Sequence, residues 1–439
     1  MHARTTSPLC VQPNLDVSFF LHPLVLCLLL LLLILFACST AAYAQSDPNA
    51  THPYAKLDRQ SVTYRGPNGA VEKHSPGSAA VIGLIIPLKG PQASEGRALL
   101  AVAQLAIAEE QSLGPLPGGR QLQLVARDES GPWGQASTEI LKLIEDDQAL
   151  AIITSANGTT AHLAEQIANK ISVPILTLSS DPSTTQGNVP WLFRLGPSDA
   201  DQARVFCQRI YSDLGLYKVL LIAQMDHDGR VGAAEFEKAA RDVKAAPPLR
   251  FEWVDSLNNL QSFQTALQTK QPDAIVIWTD APAAEELMPV IQNLRPATPI
   301  FLCRKAAQLD TWNVSANPSV DSHPQTQIGK FFAANSSDQL QTATQSAVQQ
   351  LHTPGRSPMP TLAAEDAYNA IHLIVAALRT TGANRVLLRE YLANQVEPRD
   401  PNRKMPFDPA GNDAREFKLI RLNVPQDTRS ATATTSTNP

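Results

Sequence analysis

The chain has 439 residues, 44% hydrophobic and 18% charged, with 36 Lys and Arg against 41 Asp and Glu for a net charge of −5. That length exceeds one ordinary small domain and suffices for two folded lobes. The mild acidity and the lack of any Lys/Arg-rich run exclude nucleic acid from the expected partners.

The N-terminus reads as a targeting segment. His22–Ala44 is HPLVLCLLLLLLILFACSTAAYA, with an apolar core from Leu24 to Cys38 and small residues after it. Ala42-Tyr43-Ala44 fits an A-x-A cleavage site, so a signal peptide ending at Ala44 is the favoured reading of residues 1–44. Leu35-Phe36-Ala37-Cys38 resembles a lipobox, which makes Cys38 the alternative, lipidated start of a lipoprotein. A run near 15 residues is short for an uncleaved membrane anchor, the third reading. Residues 45–79 are rich in Pro, Ser, Asn, Gly and His without apolar period and read as a linker.

From residue 80 the pattern alternates. VIGLIIPL (81–88) predicts a strand and 96–111 a helix with Leu99, Val102, Ala103, Ala106 and Ile107 on one face. A strand at 121–129, a helix at 138–147, a strand at 149–155, a helix at 160–170 and a strand at 173–180 follow. The same grammar restarts with helices predicted at 200–214, 232–244, 263–270 and 283–294 and strands at 218–224, 251–256, 273–279 and 299–303. Crossovers of helix length between strands require parallel, doubly wound sheets. Residues 310–360 are polar, with a helix expected at 339–351. Helices are expected at 361–379 and 385–394, a β-hairpin at 406–422, and a disordered tail at 423–439. Cys207 and Cys303, the two cysteines beyond the leader, are expected to be buried free thiols.

In such a fold, ligands bind outside the carboxyl ends of the strands. The strand ends here are Lys89–Gln92, Arg127–Glu129, Ser155–Thr160, Ser179–Asp181, Asp226–Arg230, Thr279-Asp280 and Arg304-Lys305. Asn157–Thr160 and Ser179–Asp181 offer hydroxyls and free backbone N–H groups at helix starts, which suits a carboxylate; ordinary N-capping explains the same residues. Nucleotide-binding glycine motifs and the nucleophile elbow are absent from the sequence. His162 reads as an exposed helix residue, Asp128-Glu129 as paired carboxylates or a solvated turn, and Asp226-His227-Asp228 as too small a loop for a metal site. No metal-ligand spacing, cofactor or catalytic residue is expected.

In order, IGLIIPLKGP, GGRQLQLVARDE, IITSANGTTA, VPILTLSSDP, FRLGPSDADQA and PDAIVIWTDA resemble type I periplasmic binding proteins of the leucine/isoleucine/valine-binding branch, over about residues 80–422. The resemblance implies an α/β fold of two Rossmann-like lobes of the Venus-flytrap type, joined by a three-stranded hinge. Residues 80–199 would form lobe 1, with 325–395 returning to it; 200–320 would form lobe 2, with 400–422 returning. It also implies a ligand site. The carboxylate loop falls on Asn157, Gly158, Thr159 and Thr160, with Gly158 where a serine is expected. The second contact loop falls on Ser179, Ser180 and Asp181, and the acidic hinge residue on Asp199. In lobe 2, Asp228, Gly229 and Arg230 stand where an aromatic packs, and Lys305, beside Arg304, where an acid pairs with an amino group; Asp280 lies at a neighbouring strand end. Glu95 stands in place of an aromatic in the first loop. A Lys/Arg pair in the cleft would favour an anionic ligand, while Asp181 suits an ammonium. The implied function is a periplasmic, monomeric solute receptor that delivers an amino acid or small carboxylate to an ABC-type permease of the inner membrane. The alternative is an interaction or sensor lipoprotein with a vestigial cleft.

Overall fold

The computed structural model describes residues 79–132, 134–187, 189–255, 257–307, 313–314, 331–336, 362–394 and 407–423. The leader, the linker, the helix expected at 339–351 and the tail beyond Asn423 lie outside them.

β1 (Ala80–Ile86) is buried at every position. It lies between β2 (Leu122–Asp128) and β3 (Ala151–Thr154), with β4 (Ile175–Thr177) and β5 (Leu192–Arg194) beyond, in a parallel sheet of order β2-β1-β3-β4-β5. The helices α1 (Ala93–Ser112), α2 (Gln135–Glu145), α3 (Gly158–Ile171) and the single turn α4 (Ser183–Gln186) connect the strands. The turn before α1 is shaped at Gly90, whose φ of +76° few other residues adopt.

The second sheet repeats this winding. β6 (Val219–Gln224), β7 (Leu249–Trp253), β8 (Ala274–Trp278), β9 (Ile300–Leu302), β10 (Asn313–Val314), β11 (Phe331–Ser336) and β12 (Phe417–Asn423) stand in the order β10-β12-β11-β9-β8-β6-β7. Strands β7, β6, β8, β9 and β11 run parallel, and β12 runs antiparallel to β11 and β10. Around them lie α5 (Asp199–Cys207), continued by a π-helical turn, α6 (His227–Asp242), α7 (Leu257–Lys270) and α8 (Ala281–Leu294). α9 (Leu362–Thr381) and α10 (Arg385–Asn394) return to the first lobe and pack Ile371, Ile374, Leu378 and Leu388 into its core with Leu84 and Leu99. Cys207 and Cys303 are buried and unpaired.

Three expectations need correction. The segment 325–395 does not return to lobe 1 as a whole: β11 pairs with β9 in the second sheet, because FFAANS is an extended, apolar-led stretch that extends that sheet. The hairpin expected at 406–422 is reduced to one tight turn, with Phe407 bridging Asp413 antiparallel around Asp408–Asn412. Phe407 packs against Phe193 of lobe 1, Arg194 N donates to Gly411 O, and only β12 joins lobe 2. The helix expected at 232–244 begins at His227, because Asp226 caps it by accepting from Gly229 N at 2.8 Å.

The chain therefore passes between lobes after β5, between β11 and α9, and before β12. A buried ionic cluster ties these passages together. Arg304 of lobe 2 bonds Asp366 and the Leu362 carbonyl of α9; Asp413 accepts from Gly196 N at 2.8 Å; Arg415 bonds both Asp413 and Asp366.

Candidate functional site

Each sheet reverses strand order beside its first strand, and there a doubly wound sheet opens a crevice. In lobe 1 that crevice lies between the ends of β1 and β3; in lobe 2, between β6 and β8. The two face each other across a space of about 250 Å³, open solvent included, lined by Ser180, Asp199, Asp226, Asp228, Gly229, Trp278, Thr279, Asp280, Cys303 and Lys305.

Asn157 is an ordinary N-cap: its side chain caps α3 by accepting from Thr160 N at 3.2 Å. The next backbone donor, Gly158 N, points across the cleft and donates to Asp228 Oδ1 at 3.1 Å. Only glycine permits this approach, since a Cβ at 158 would lie 2.4 Å from that oxygen. Asp228 Oδ2 in turn takes an ion pair from Lys305 Nζ at 2.5 Å. The chain's own carboxylate thus sits at the helix end that the resemblance reserves for a ligand carboxylate. Thr159 is exposed on the first turn, while Thr160 is buried.

Arg304 does not join Lys305 in the cleft. Its guanidinium is drawn into the ionic cluster with Asp366, and Arg230 is exposed and donates to its own Met225 carbonyl. The Lys/Arg pair expected to favour an anion is therefore not assembled. Lys305 remains, held charged by Asp228 and Asp226 despite burial.

Acidic groups dominate what is left. Burial pushes Glu95 up to about 7 and Glu129 up to about 8; Lys305 opposes both. Glu129 Oε1 accepts from the Ser155 hydroxyl at 2.7 Å, while Oε2 is buried without a hydrogen-bond partner. Burial also raises Asp199 to about 7, although the Ser180 hydroxyl and Trp278 Nε1, at 3.2 Å, hydrogen-bond it. Asp280 caps α8 through Ala283 N and accepts from Gln224 and from Gln92 of the opposite lobe. From the sequence, Glu95 stood out only as the residue in place of an aromatic, and Glu129 only as half of the Asp128-Glu129 pair at a strand end. Glu129 follows a strand whose other end residue, Asp128, is held by Leu88 N and Lys89 as a surface turn, so local pattern could not separate them.

Asp181 is 1% exposed and lies beside this space. Its Oδ1 accepts from Ser183 N and Oγ, at 2.8 and 2.6 Å. Its Oδ2 meets two imidazoles: His162 Nε2 of α3 at 3.0 Å and His227 Nε2 of α6 at 2.6 Å. These bonds hold its carboxyl well below the usual range, against burial. His162 is thus no bystander on an exposed helix face. Asp181 and Glu165 raise it to about 10. The Ser179 hydroxyl is spent locally, accepting from Asp181 N at 3.2 Å. Among the described residues, no helix is long and apolar enough to cross a membrane.

No curated protein matches the sequence significantly. Solved structures match its fold. The branched-chain amino acid transporter substrate binding protein LivJ from Streptococcus pneumoniae, in complex with isoleucine, aligns at a TM-score of 0.63 and 18% identity, over 78% of this chain and 95% of that one. The leucine binding protein LivK from Thermotoga maritima aligns at 0.63 and 16%, over 79% and 97%. A solute binding protein of an ABC transporter from R. palustris, in complex with benzoate, aligns at 0.62 and 19%, over 78% and 92%. The family model described as "Periplasmic binding protein" matches residues 80–397, from β1 through α10. The chain belongs to the periplasmic binding protein family.

Proposed function

We propose that this solute-binding protein takes a small cationic solute, an amine or the ammonium end of an amino acid, between its lobes and presents the closed form to an ABC-type permease. The observation that carries this reading is the charge of the cleft. Asp199, Asp226, Asp228 and Asp280 line it, its one lining lysine is already paired, and the helix end suited to an anion is capped by Asp228. The three passages between lobes serve as the hinge, and only contacts reaching both lobes favour closure. Family members are extracytoplasmic, which agrees with a leader cleaved after Ala44 or a lipidated Cys38. Mass spectrometry of the exported chain's N-terminus distinguishes the two.

A thermal-shift panel on the mature chain tests the solute class. Diamines and basic amino acids should raise the unfolding midpoint, by about 2.7 kcal/mol of stabilisation at a hundredfold excess over the dissociation constant. A midpoint raised by benzoate and unmoved by any amine would overturn the reading. A second reading, an interaction protein whose cleft no longer takes a solute, is favoured by the lobes being tied by their own side chains, Gly158 to Asp228 and Asp181 to His227. It predicts a midpoint indifferent to the whole panel.

A further inference from the structure

The sequence shows no metal-ligand spacing, because the three residues concerned are far apart in the chain: His162 on α3, Asp181 after β4, and His227 opening α6. The fold brings one ligand atom from each, two imidazole nitrogens and a carboxylate oxygen, within 4.8 Å of one another. We propose that His162, Asp181 and His227 form a site for a divalent transition metal ion of the zinc type, and that the ion latches the two lobes together.

Four observations support it. First, the donor set is two imidazoles and one carboxylate, which suits zinc and its neighbours; calcium and magnesium prefer oxygen shells. Second, the geometry is close. Asp181 Oδ2 stands 2.6 Å from His227 Nε2 and 3.0 Å from His162 Nε2. Around a tetrahedral ion with bonds of about 2.0–2.1 Å, ligand atoms lie about 3.3 Å apart, so small side-chain movements admit the ion. Third, an outer shell exists. Glu165 Oε2 lies 3.2 Å from His162 Nδ1, which fixes the ring and leaves Nε2 as the ligating nitrogen, and Ser183 holds Asp181 Oδ1 and leaves Oδ2 to the ion. Fourth, the imidazoles are 29% and 38% exposed, while Asp181 is buried at 1%. An ion can arrive from solvent, and water can complete its shell.

The site bridges the lobes. His162 and Asp181 belong to lobe 1, and His227 belongs to lobe 2. An ion held by all three has full affinity only for the closed arrangement, so it must shift the lobes toward closure. None of the three residues lines the 250 Å³ space, so the latch is separate from the solute pocket.

Co²⁺, which gives visible absorption bands in a nitrogen/oxygen site, and Zn²⁺ as its competitor are the probes, added to chelator-treated full-length mature protein. One equivalent of Co²⁺ should bind and be displaced by Zn²⁺. His227→Gln, on a half-buried helix start, should weaken Zn²⁺ at least about 100-fold while leaving the circular dichroism unchanged. Glu165→Gln should weaken it about 10- to 100-fold through the outer shell. Zn²⁺ should shrink the radius of gyration of the wild type and not of His227→Gln. The proposal falls if Zn²⁺ binding is unchanged in folded His227→Gln, if the wild type takes up no stoichiometric ion, or if binding leaves the radius of gyration unmoved.

Discussion

Replacing Asp228 by alanine removes one carboxylate that does two jobs, one across the cleft and one within its own lobe. It caps α3 through Gly158 N and neutralises Lys305. The side chains of the pair are only 18% and 12% exposed. At 2.5 Å and an effective dielectric near 20, the gross attraction is roughly 6–7 kcal/mol, most of it offset by desolvation of both ions. What survives as a measured loss is the cost of leaving Lys305 buried without its partner. We expect about 2–4 kcal/mol, a little under the about 3–5 kcal/mol of a fully buried pair because these side chains keep some exposure, and well above the ~0–1 kcal/mol of a surface pair. In thermal unfolding this is a drop of roughly 5–10 °C for a lobe of this size.

The companion variant Asp228→Leu/Lys305→Met removes both charges and should recover most of the loss. Binding gives a second readout. Asp228→Ala frees both the α3 N-terminus and Lys305, so a simple carboxylate such as benzoate should gain at least about 10-fold in affinity while amines lose. A single-variant loss under about 0.5 kcal/mol, or a double variant as weak as the single, would refute the buried-pair argument. A carboxylate affinity that does not rise would refute the idea that Asp228 blocks an anion site.

Burial raises Glu95 to about 7 and Glu129 to about 8, so both hold protons at pH 6 and Glu129 mostly does at neutral pH; amine affinity should rise from pH 6 to 9 with proton release, measured by calorimetry in two buffers. The stability term has the opposite sign: a carboxyl raised in the folded state favours folding at low pH, and that contribution is lost as pH climbs from the ordinary carboxylate range through about 8. Gly158→Ala places a Cβ 2.4 Å from Asp228 Oδ1 and 3.1 Å from His227 Cδ2, and should weaken solute binding at least about 10-fold in titration calorimetry while unfolding in urea stays near wild type. Arg304→Ala leaves Asp366 in a buried cluster without this cation and should cost about 3–5 kcal/mol by urea unfolding.

Much of the frame was legible because it rests on local pattern. The apolar runs at 81–86 and 274–278 are strands buried on both faces, and helix-length crossovers between such strands force parallel pairing. What failed depended on contacts remote in sequence. β11 is recognisable only through its pairing with β9 and β12, since a six-residue stretch ending Ala-Ala-Asn-Ser carries little period of its own. Arg304 and Lys305 are adjacent residues with opposite fates, one turned to α9 and one to α6. Strand-end position told that a residue lies near the cleft, and not which way its side chain leaves the backbone. The capping role of Asn157 was legible; the role of Asp228, four residues past a strand and seventy from its partner Gly158, was not.

The two interlobe carboxylates explain why this cleft concentrates so many titratable groups. Asp181 and Asp228 each lie near the facing lobe and each is stabilised there, one by His227 and one by Gly158 N. Opening the lobes removes both bonds at once, so each carboxylate must then be rehydrated or repaired within its own lobe. Asp228 keeps Lys305 of lobe 2 when that happens, and Asp181 keeps His162 and Ser183 of lobe 1. Neither charge is stranded in the open form, so the closing contacts bias the equilibrium without making opening prohibitive. A cation of the proposed class that reached both lobes would need to add only a modest differential affinity to shift the population. A receptor whose own charges were fully compensated only when shut would capture its solute and fail to release it.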